Sequence, residues 1–464
     1  MARGRIVRSL LLAAGWMLLG AAASAQAPDI PPGTGPIPRV KKGEKGGVLV
    51  YSEHAPQYRS VLPEEIADLV SRGRLVLDVA DLELPEQLPV SQEAAQAPIQ
   101  VLESGELSSM PSRAQRPLFA PDSILSSAGN KREQGYKVLW NTVGALWGGA
   151  VFQQRSSLAL FPSDDASGKQ IEFSVGRIYP AALGGSAGSA KVLFREKIAL
   201  QGPEVLKGLS WLTFRFLGRE GDYLWASSAL IHKVRQLTGS NRSDEIFSGA
   251  FSPDSLFVWS GKVEAVVPVV VARRTILVAF NPEPFAAAPG QAPSCVGAEF
   301  GKHSLALNRD SRRFPQHPAW VPTAVRFVPR RVWQVDLTSR DPFSLDAVQR
   351  VFVDERTQLP VYRMSWGQDA RLRHVSIGVI GFMRQGSAVH PWLVGQIIRN
   401  GLTEACAIVA AQSLERCEAA APGLSLEDFD PSAIVEPARP TPAPQGPAGP
   451  GGEGESEGEL SAED

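Results

Sequence analysis

The sequence predicts a mainly β protein, built on a large curved antiparallel sheet or incomplete barrel with a short N-terminal helix and long irregular loops. Two observations predict this. Short apolar runs recur from Gly135 onward with turn residues between them, and they lack helical spacing. In the run 191–200, Val192, Phe194 and Ile198 alternate with polar residues, so most apolar side chains face one way.

The stretch 208–264 is the reference for the whole sheet, because its turn chemistry is the clearest. Its order is a strand, a turn with two glycines, an aromatic strand, a basic run, a polar loop and an apolar strand. These segments are Trp211–Leu217, Gly218–Asp222, Tyr223–Trp225, His232 to Arg235, Asn241–Asp244 and Leu256–Trp259.

The other strands follow the same pattern. They are predicted at Ala150–Phe161, Lys169–Tyr179, Ala190–Leu200, Val263–Phe280, Ala324–Leu337, Val348–Val353, Pro360–Trp366 and Arg371–Phe382. Val266–Val271 and Thr275–Phe280 are apolar on both faces, so we expect cover on each side of that strand.

Composition divides the chain into four parts. They are a signal peptide (1–25), a Pro/Gly-rich leader with a short helix and a surface strap (26–134), a β-sheet domain (135–436) and a disordered Pro/Gly and acidic tail (437–464). Within the sheet domain, the proline-rich residues 281–322 are predicted to form an irregular insertion.

Residues 1–25 have a basic start, an apolar core Leu10–Ala22 and small residues at a cleavage site, which predicts export to the periplasm as a soluble protein. The alternative is a membrane anchor, but a spanning helix needs about 20 apolar residues. Pro63 then starts a short helix that ends near Gly73, and a strand is expected at Arg74–Val79.

Two features near the C-terminus are open to alternatives. Asn400-Gly401 predicts a two-residue hairpin turn, and the competing structure is one helix from Trp392 to Cys417. In an oxidising compartment, three cysteines predict one disulfide. Cys406 with Cys417 is the preferred pair if the chain turns back between them, and a pair with Cys295 would fasten a distant loop.

Catalytic and cofactor chemistry find little support. Ser186 lies in a Gly-x-Ser-x-Gly pattern, but a strand follows it where a nucleophile elbow needs a helix. The six histidines form no metal-binding spacing, and we expect no metal and no cofactor. A formal charge of -1 without a basic stripe argues against a nucleic-acid partner. The chain is therefore not predicted to be an enzyme.

Aromatic and polar side chains are the candidate site. The aromatic rings either line a hydrophobic cavity or fill the core, and they are Trp211, Phe214, Phe216, Tyr223, Trp225, Trp259, Trp333, Tyr362 and Trp366. The polar loop is either a binding site or a salt-bridged anchor, and its residues are Asp222, Arg235, Arg242, Asp244 and Asp254.

Several of these residues occur in an order that resembles a bacterial periplasmic family of unknown function, whose members are labelled outer-membrane lipoprotein-sorting-like. The resemblance covers roughly 135–434. It rests on Asp222-Tyr223-x-Trp225, the run with Leu230, Arg235 and Leu237, Arg242-Ser243-Asp244, Asp254, Gly261-Lys262, Val351-Phe352-Val353-Asp354-Glu355-x-Thr357, Tyr362 with Trp366, and Asp428-Phe429-x-Pro431.

The resemblance implies a fold similar to the incomplete barrels of LolA/LolB-type carriers. It also implies a periplasmic, non-catalytic carrier or adaptor that binds a lipid or other hydrophobic molecule during transport to or from the outer membrane. Its implied partners are an inner-membrane exporter and an outer-membrane protein. The alternative is a scaffold of an envelope transport or assembly complex, with a cavity filled by its own side chains.

Overall fold

A computed structural model describes residues 47–82, 84, 99–109, 118–147, 149–162, 168–183, 192–228, 233–246, 251–288, 294–300, 306–310, 319–385, 388–418 and 424–434. The predicted signal peptide, the predicted disordered tail and Ser186 lie outside the described residues.

The described chain forms strands from end to end, with helices concentrated before the third strand. The helices are α1 (Ala55–Tyr58), α2 (Glu64–Ser71), α3 (Pro121–Ser126) and α4 (Lys131–Trp147). The strands are β1 (Val48–Val50), β2 (Leu77–Val79), β3 (Val151–Phe161), β4 (Lys169–Ile178), β5 (Val192–Gly202), β6 (Ser210–Phe216), β7 (Tyr223–Ser228), β8 (Lys233–Leu237), β9 (Val266–Phe280), β10 (Cys295–Glu299), β11 (Ala306–Asp310), β12 (Ala319–Thr323), β13 (Arg326–Ser339), β14 (Val348–Asp354), β15 (Pro360–Trp366), β16 (Leu372–Gln385), β17 (Ala388–Asn400) and β18 (Cys406–Cys417).

Sixteen of these strands form one sheet in the order β1-β2-β13-β14-β15-β16-β17-β18-β3-β4-β5-β6-β7-β8, with β9 and β10 attached beside this path. β9 pairs with β13 along its length and also touches β16 at Ala279 and Phe280. That second contact requires the sheet to curl between β13 and β16. Almost all pairings are antiparallel, so the predicted class, a large curved antiparallel sheet in a mainly β protein, is confirmed.

The predicted strands agree with the structure within a few residues, apart from Leu256–Trp259. There the chain forms a buried turn, in which Phe257 and Val258 take positive φ values of 54° and 69°. A β-branched residue rarely adopts this conformation. Gln396 holds the turn by accepting from the Val258 backbone N–H at 3.1 Å, so a tertiary contact decides the backbone here.

The sequence did not predict helix α4, and the expected boundary at residues 134 and 135 falls inside it. Its side chains from Tyr136 to Thr142 are buried, so no single apolar stripe marks it as a helix. The signal that could have revealed it is Asn130, whose side chain caps the Glu133 backbone N–H at 3.2 Å. In the described part of the chain, no helix is both long and apolar enough for a membrane span.

Predictions at the C-terminal side are partly confirmed. β17 and β18 form the expected hairpin, but Arg399 pairs with Cys406, so the turn is longer than the two residues predicted. Asn400 Oδ1 supports it by accepting from the backbone N–H of Leu402 at 2.8 Å. The insertion 281–322, expected to be irregular, contains β10 and the hairpin of β11 and β12.

The predicted Cys406–Cys417 disulfide is wrong, because the structure joins Cys295 to Cys417. Cys406 and Cys417 occupy opposite ends of the continuous strand β18, which at about 3.3 Å per residue are roughly 36 Å apart. Pairing of β10 with β18 instead brings Cys295 directly opposite Cys417. Glu415 lies near these two sulfurs, but a disulfide leaves no thiolates to bind a metal.

The sheet from β4 to β8 has two distinct faces. Phe194, Glu196 and Ile198 point to the inner face, which α4 and the segment 259–264 cover. Arg195 and Lys197 point to the outer face, together with the residues opposite them on β6, Phe214 and Leu212. The alternation predicted for the run 191–200 is thus confirmed.

Candidate functional site

Four of the predicted aromatic residues form a ladder on the outer face of β6 and β7. We call Phe214, Phe216, Tyr223 and Trp225 the aromatic stripe. The ring centroids of Phe214 and Trp225 lie 4.9 Å apart, as do those of Phe216 and Tyr223, and both pairs meet edge to face. Tyr223 is 43% exposed and the other three rings are partly buried. The stripe therefore presents apolar surface to solvent near the edge strand β8.

The other five aromatic residues lie elsewhere. Trp259, Trp333 and Tyr362 are buried in the core, and the Tyr362 hydroxyl donates to the Leu277 carbonyl at 2.7 Å. Trp211 and Trp366 are partly buried and pack against the main core cluster. The structure thus divides the nine predicted residues between a surface stripe and a packed interior.

Two cavities in the interior of the described part of the chain are small. One lies between Trp140 of α4 and Trp259, and another lies near Phe257 and Leu393. Each has a volume of about 10 Å³, room for about one water molecule. Neither of these two cavities has room for an acyl chain.

An unbroken chain of seven charged side chains crosses the inner face. We call it the ion network, and in order it consists of Arg177, Glu196, Arg242, Asp254, Arg215, Asp222 and Lys262. Cations and anions alternate along it. The Glu196–Arg242 contact is 3.1 Å, and both side chains are almost fully buried. Such an arrangement places each of the five inner charges between two charges of opposite sign.

The pKa values in this region follow from burial and neighbouring charge. Burial would raise the pKa of Glu196, but the Arg177 and Arg242 guanidinium groups hold it down at about 2. Burial raises the pKa of Glu264 to about 6, and nearby Lys262 opposes that rise only partly. Glu264 Oε1 accepts from the Gly218 backbone N–H at 2.8 Å, which fixes the turn between β6 and β7.

Three of the five residues predicted for the polar loop take part in buried ion pairs. Asp222, Arg242 and Asp254 belong to the ion network, which holds the 239–243 turn against the sheet. Asp244 lies apart and accepts from the Asn241 side chain at 2.6 Å. Arg235 is exposed on β8. The predicted grouping of five is therefore only partly correct.

One group of side chains has the residue types of a catalytic triad, but its serine is closed to solvent. Ser365 Oγ lies 3.4 Å from His374 Nδ1, and His374 Nε2 lies 3.5 Å from Glu245. Ser365 has no exposed surface, so a substrate cannot reach its hydroxyl. We interpret this group as part of the packing between β15 and β16.

The C-terminal segment Leu424–Ile434, which we call the clasp, covers one end of the aromatic stripe. Phe429 and Ile434 are buried against a cluster that includes Phe214 and Trp225. Side chains of the sheet hold five backbone carbonyls of the clasp. Arg195 donates to Leu426 and Phe429, Lys197 donates to Asp428 and Ala433, and Ser227 donates to Ile434 at 2.8 Å.

The seat of Phe429 depends on a glycine. A side chain at Gly176 would place its Cβ 3.2 Å from the Phe429 ring, closer than a comfortable contact. Burial of Phe429 and Ile434 stabilises the docked clasp by about 4 kcal/mol. Its other side chains are partly or fully exposed, so the clasp has far less buried surface than a strand of the sheet.

A protein-family model described as a protein of unknown function (DUF1329) matches residues 131–434. The chain belongs to this family. The DUF1329 region begins at the first residue of α4 and ends at the last residue of the clasp. Both elements that cover the β4–β8 part of the sheet thus belong to it.

One motif that carried the resemblance has a structural role in this DUF1329 protein. Asp354, at the end of β14, receives two hydrogen bonds from Arg330 at 2.9 and 3.0 Å. It also accepts from the backbone and the hydroxyl of Thr357 at 2.8 and 2.9 Å. Four donors on one buried carboxylate fix the turn from β14 to β15.

Three solved structures are similar to this DUF1329 chain. A candidate outer membrane lipoprotein-sorting protein domain from Vibrio parahaemolyticus has a TM-score of 0.45 and 11% identity, covering 66% of this chain and 100% of its own. A DUF1329 protein from Desulfovibrio piger has a TM-score of 0.44 and 10% identity, and the match covers 66% of this chain and 99% of that protein. A LolA superfamily protein from Nitrosomonas europaea has a TM-score of 0.38 and 10% identity, and the match covers 64% of this chain and 97% of that protein. No curated protein sequence matches.

Sequence reasoning missed several residues that build this DUF1329 site. Glu196 could have been found, because a lone acid on the apolar face of an alternating strand needs a buried cation. Gly176, Arg195 and Lys197 gave no local signal, since their partners in the clasp are more than 230 residues away along the chain.

Proposed function

We propose that this protein is a non-catalytic periplasmic adaptor, which binds a partner protein of an envelope transport or assembly complex through the aromatic stripe. The observation that carries the proposal is the placement of four aromatic rings on one open face, with Tyr223 43% exposed. Large aromatic side chains are enriched where proteins bind one another, because they bury much area at a small cost in rotamer entropy.

The shape of the stripe favours a protein partner over a lipid. Phe214 lies directly opposite Tyr223 on the neighbouring strand, so their rings stand side by side on one face of the sheet. An acyl chain lying on such a surface would leave about half of its area in water, at a cost near 0.8 kcal/mol for each exposed CH₂ group. A flat protein surface can cover the rings fully.

A lipid carried in the cavity between α4 and Trp259 would require a different conformation. Helix α4 would have to leave the inner face, which exposes Tyr136, Val138, Leu139, Trp140 and Leu146. That exposure costs on the order of 10 kcal/mol, comparable to the whole stability of a typical domain. It also breaks the hydrogen bond from Trp140 Nε1 to the Gly105 carbonyl, which measures 2.9 Å.

Two features support a periplasmic site of action. Residues 1–25 have the pattern of a secretory signal. The Cys295–Cys417 disulfide is of a kind that persists in oxidising compartments. The partner classes that fit this location are an inner-membrane exporter and an outer-membrane protein.

A photo-crosslinking amino acid tests the stripe in living cells. p-Benzoylphenylalanine replaces Tyr223 in one variant and Phe343, which is 79% exposed on another loop, in the matched control. We expect one discrete adduct with an envelope protein from position 223 and none from position 343. In a Phe216→Ala background the adduct should weaken, because the neighbouring ring of the stripe is gone. Equal labelling from both positions would contradict the proposal.

The carrier alternative is tested on the same purified protein. Native mass spectrometry of protein taken from the periplasm should show the mass of the mature chain alone under the adaptor hypothesis. A stoichiometric lipid, retained after the Tyr223→Ala substitution, would show that an interior site binds it. The carrier function would then replace the adaptor function.

A further inference from the structure

The clasp shows which chemistry its groove accepts. Its anchor is an aromatic ring, Phe429, seated over Gly176 at a point where the sheet has no side chain. Its second anchor is the aliphatic Ile434, five residues later. Each anchor is the last residue of a short 3-10 turn, Glu427–Phe429 and Pro431–Ile434, and the backbone of these turns does not extend a strand of the sheet.

Charge complements this shape. The outer face presents Arg195 and Lys197 beneath the clasp, where their side chains capture backbone carbonyls. Asp428 and Asp430 flank the aromatic anchor and interact electrostatically with these two cations. The groove therefore suits an acidic segment with a central aromatic residue.

The way the clasp is held makes it replaceable. Three side chains of the sheet, Arg195, Lys197 and Ser227, hold its carbonyls. Any peptide that turns in the same way offers the same acceptors, because every residue has a backbone carbonyl. Only Phe429 and Ile434 are fully buried, and Leu424 and Leu426 pack half-buried against the same cluster, so recognition depends on a few apolar side chains.

We infer that the outer face of β4 to β7 is a peptide-binding groove, that the clasp occupies it within the molecule, and that the partner presents an acidic segment of the same chemistry. This inference rests on the proposed adaptor function and names its partner more closely. Because the clasp also packs against Phe214 and Trp225, its displacement uncovers the end of the aromatic stripe that it hides.

A synthetic peptide of residues 424–434 with a fluorescent label tests the groove by anisotropy. In the full-length wild type, the clasp competes with the peptide. In the full-length Phe429→Ala variant the clasp loses its main anchor, so we expect the peptide to bind at least about tenfold more tightly than to wild type. Ser432→Ala, which changes an exposed clasp residue, is the matched control and should bind like wild type.

Two further probes make the result decisive. A peptide in which alanine replaces the phenylalanine should bind both proteins at least about tenfold more weakly than the parent peptide binds the variant. A peptide that keeps only Leu424, Leu426, Asp428, Phe429, Asp430, Pro431 and Ile434, with glycine and serine elsewhere, should bind within about threefold of the parent if the stated chemistry suffices. Equal binding of the parent peptide to folded Phe429→Ala and wild-type protein would overturn the inference.

A second variant covers the case in which Phe429→Ala does not fold cooperatively. Ile434→Ala removes the smaller anchor and should also make the full-length protein bind the peptide more tightly than wild type does. The adaptor proposal is judged separately. Loss of the Tyr223 adduct with peptide binding intact counts against the adaptor alone, and an intact adduct without peptide binding counts against the groove alone.

Discussion

Arg242 Nη1 lies 3.1 Å from Glu196 Oε1 in the interior, where neither side chain has appreciable contact with water. The same guanidinium donates from Nε to Asp254 at 2.7 Å. Arg242 therefore joins strand β5 to the turn that carries Asp254, and it pairs with two carboxylates at once.

Replacement of this arginine should be costly. We expect Arg242→Leu to lower the free energy of unfolding by about 3–5 kcal/mol, because it removes one of the two cations that pair with the fully buried Glu196 and the nearer of the two that pair with Asp254. Urea unfolding measures the change. Arg59→Ala, which removes an exposed pair with Glu64, is the control and should change stability by less than about 1 kcal/mol. Similar values for both variants would contradict the role of the ion network.

Glu264 should contribute less stability as pH rises, which is opposite to the usual effect of a carboxylate that is paired in the folded state. Its folded pKa of about 6 exceeds its ordinary value of 4.5 because the carboxyl is buried. The folded state therefore binds more protons between these two values, and the contribution of Glu264 falls as pH rises through this window. The total change is about 2 kcal/mol.

The Glu264→Gln variant isolates this effect, since an amide oxygen can still accept from the Gly218 N–H. Relative to wild type, the variant should gain up to about 2 kcal/mol of stability between pH 4.5 and pH 6, and keep the gain at higher pH. Urea unfolding across pH 4 to 8 measures the difference. Glu204→Gln, at an exposed position, should give a flat difference curve. A gain that grows toward acid pH would refute the assignment.

The disulfide assignment has a chemical and a thermodynamic test. Peptide mapping under non-reducing conditions should recover Cys295 joined to Cys417. Cys417→Ser should lower the free energy of unfolding by about 4–5 kcal/mol, because a loop of 122 residues is no longer closed in the unfolded chain. Cys406→Ser should keep the disulfide. A peptide that contains Cys406 joined to Cys417 would show the pairing to be different.

Gly176 should control the docking of the clasp. We expect Gly176→Val to push the Phe429 ring out of its seat and to increase hydrogen exchange in residues 424–434 by about tenfold or more, with little change in the rest of the sheet. Gly221→Val is the control, since a Cβ there meets nothing within 4 Å. If exchange in the clasp is unchanged, Phe429 does not depend on the missing side chain.

Substitution of an aromatic residue in the core should destabilise the protein more than substitution of one in the aromatic stripe. Trp259 is buried, so Trp259→Ala should cost about 3–5 kcal/mol. Tyr223 is partly exposed, so Tyr223→Ala should cost about 1 kcal/mol or less. Thermal and urea unfolding give both values. A large loss of stability at Tyr223 would assign the stripe to the core and remove the basis of the proposed binding surface.

The strands were predictable because strand chemistry is local. Alternation in β5 and the glycine-containing turn before Tyr223 place side chains on one face or the other without knowledge of the rest of the chain. The helix at Glu64–Ser71 was likewise predicted from Pro63 and the acids in its first turn. Helix α4 was missed because burial on several sides removes the periodic pattern that marks a surface helix.

The candidate site was only half predictable for the same physical reason. The sequence by itself determined that aromatic rings crowd the hairpin around Tyr223, and that Arg242 and Asp254 are charged groups in need of partners. Only the tertiary structure decided that Trp259 fills the core while Tyr223 faces solvent, that Cys295 and not Cys406 meets Cys417, and that Phe429 lies over Gly176. Pairing between segments more than a hundred residues apart depends on strand order and register, which no local pattern encodes.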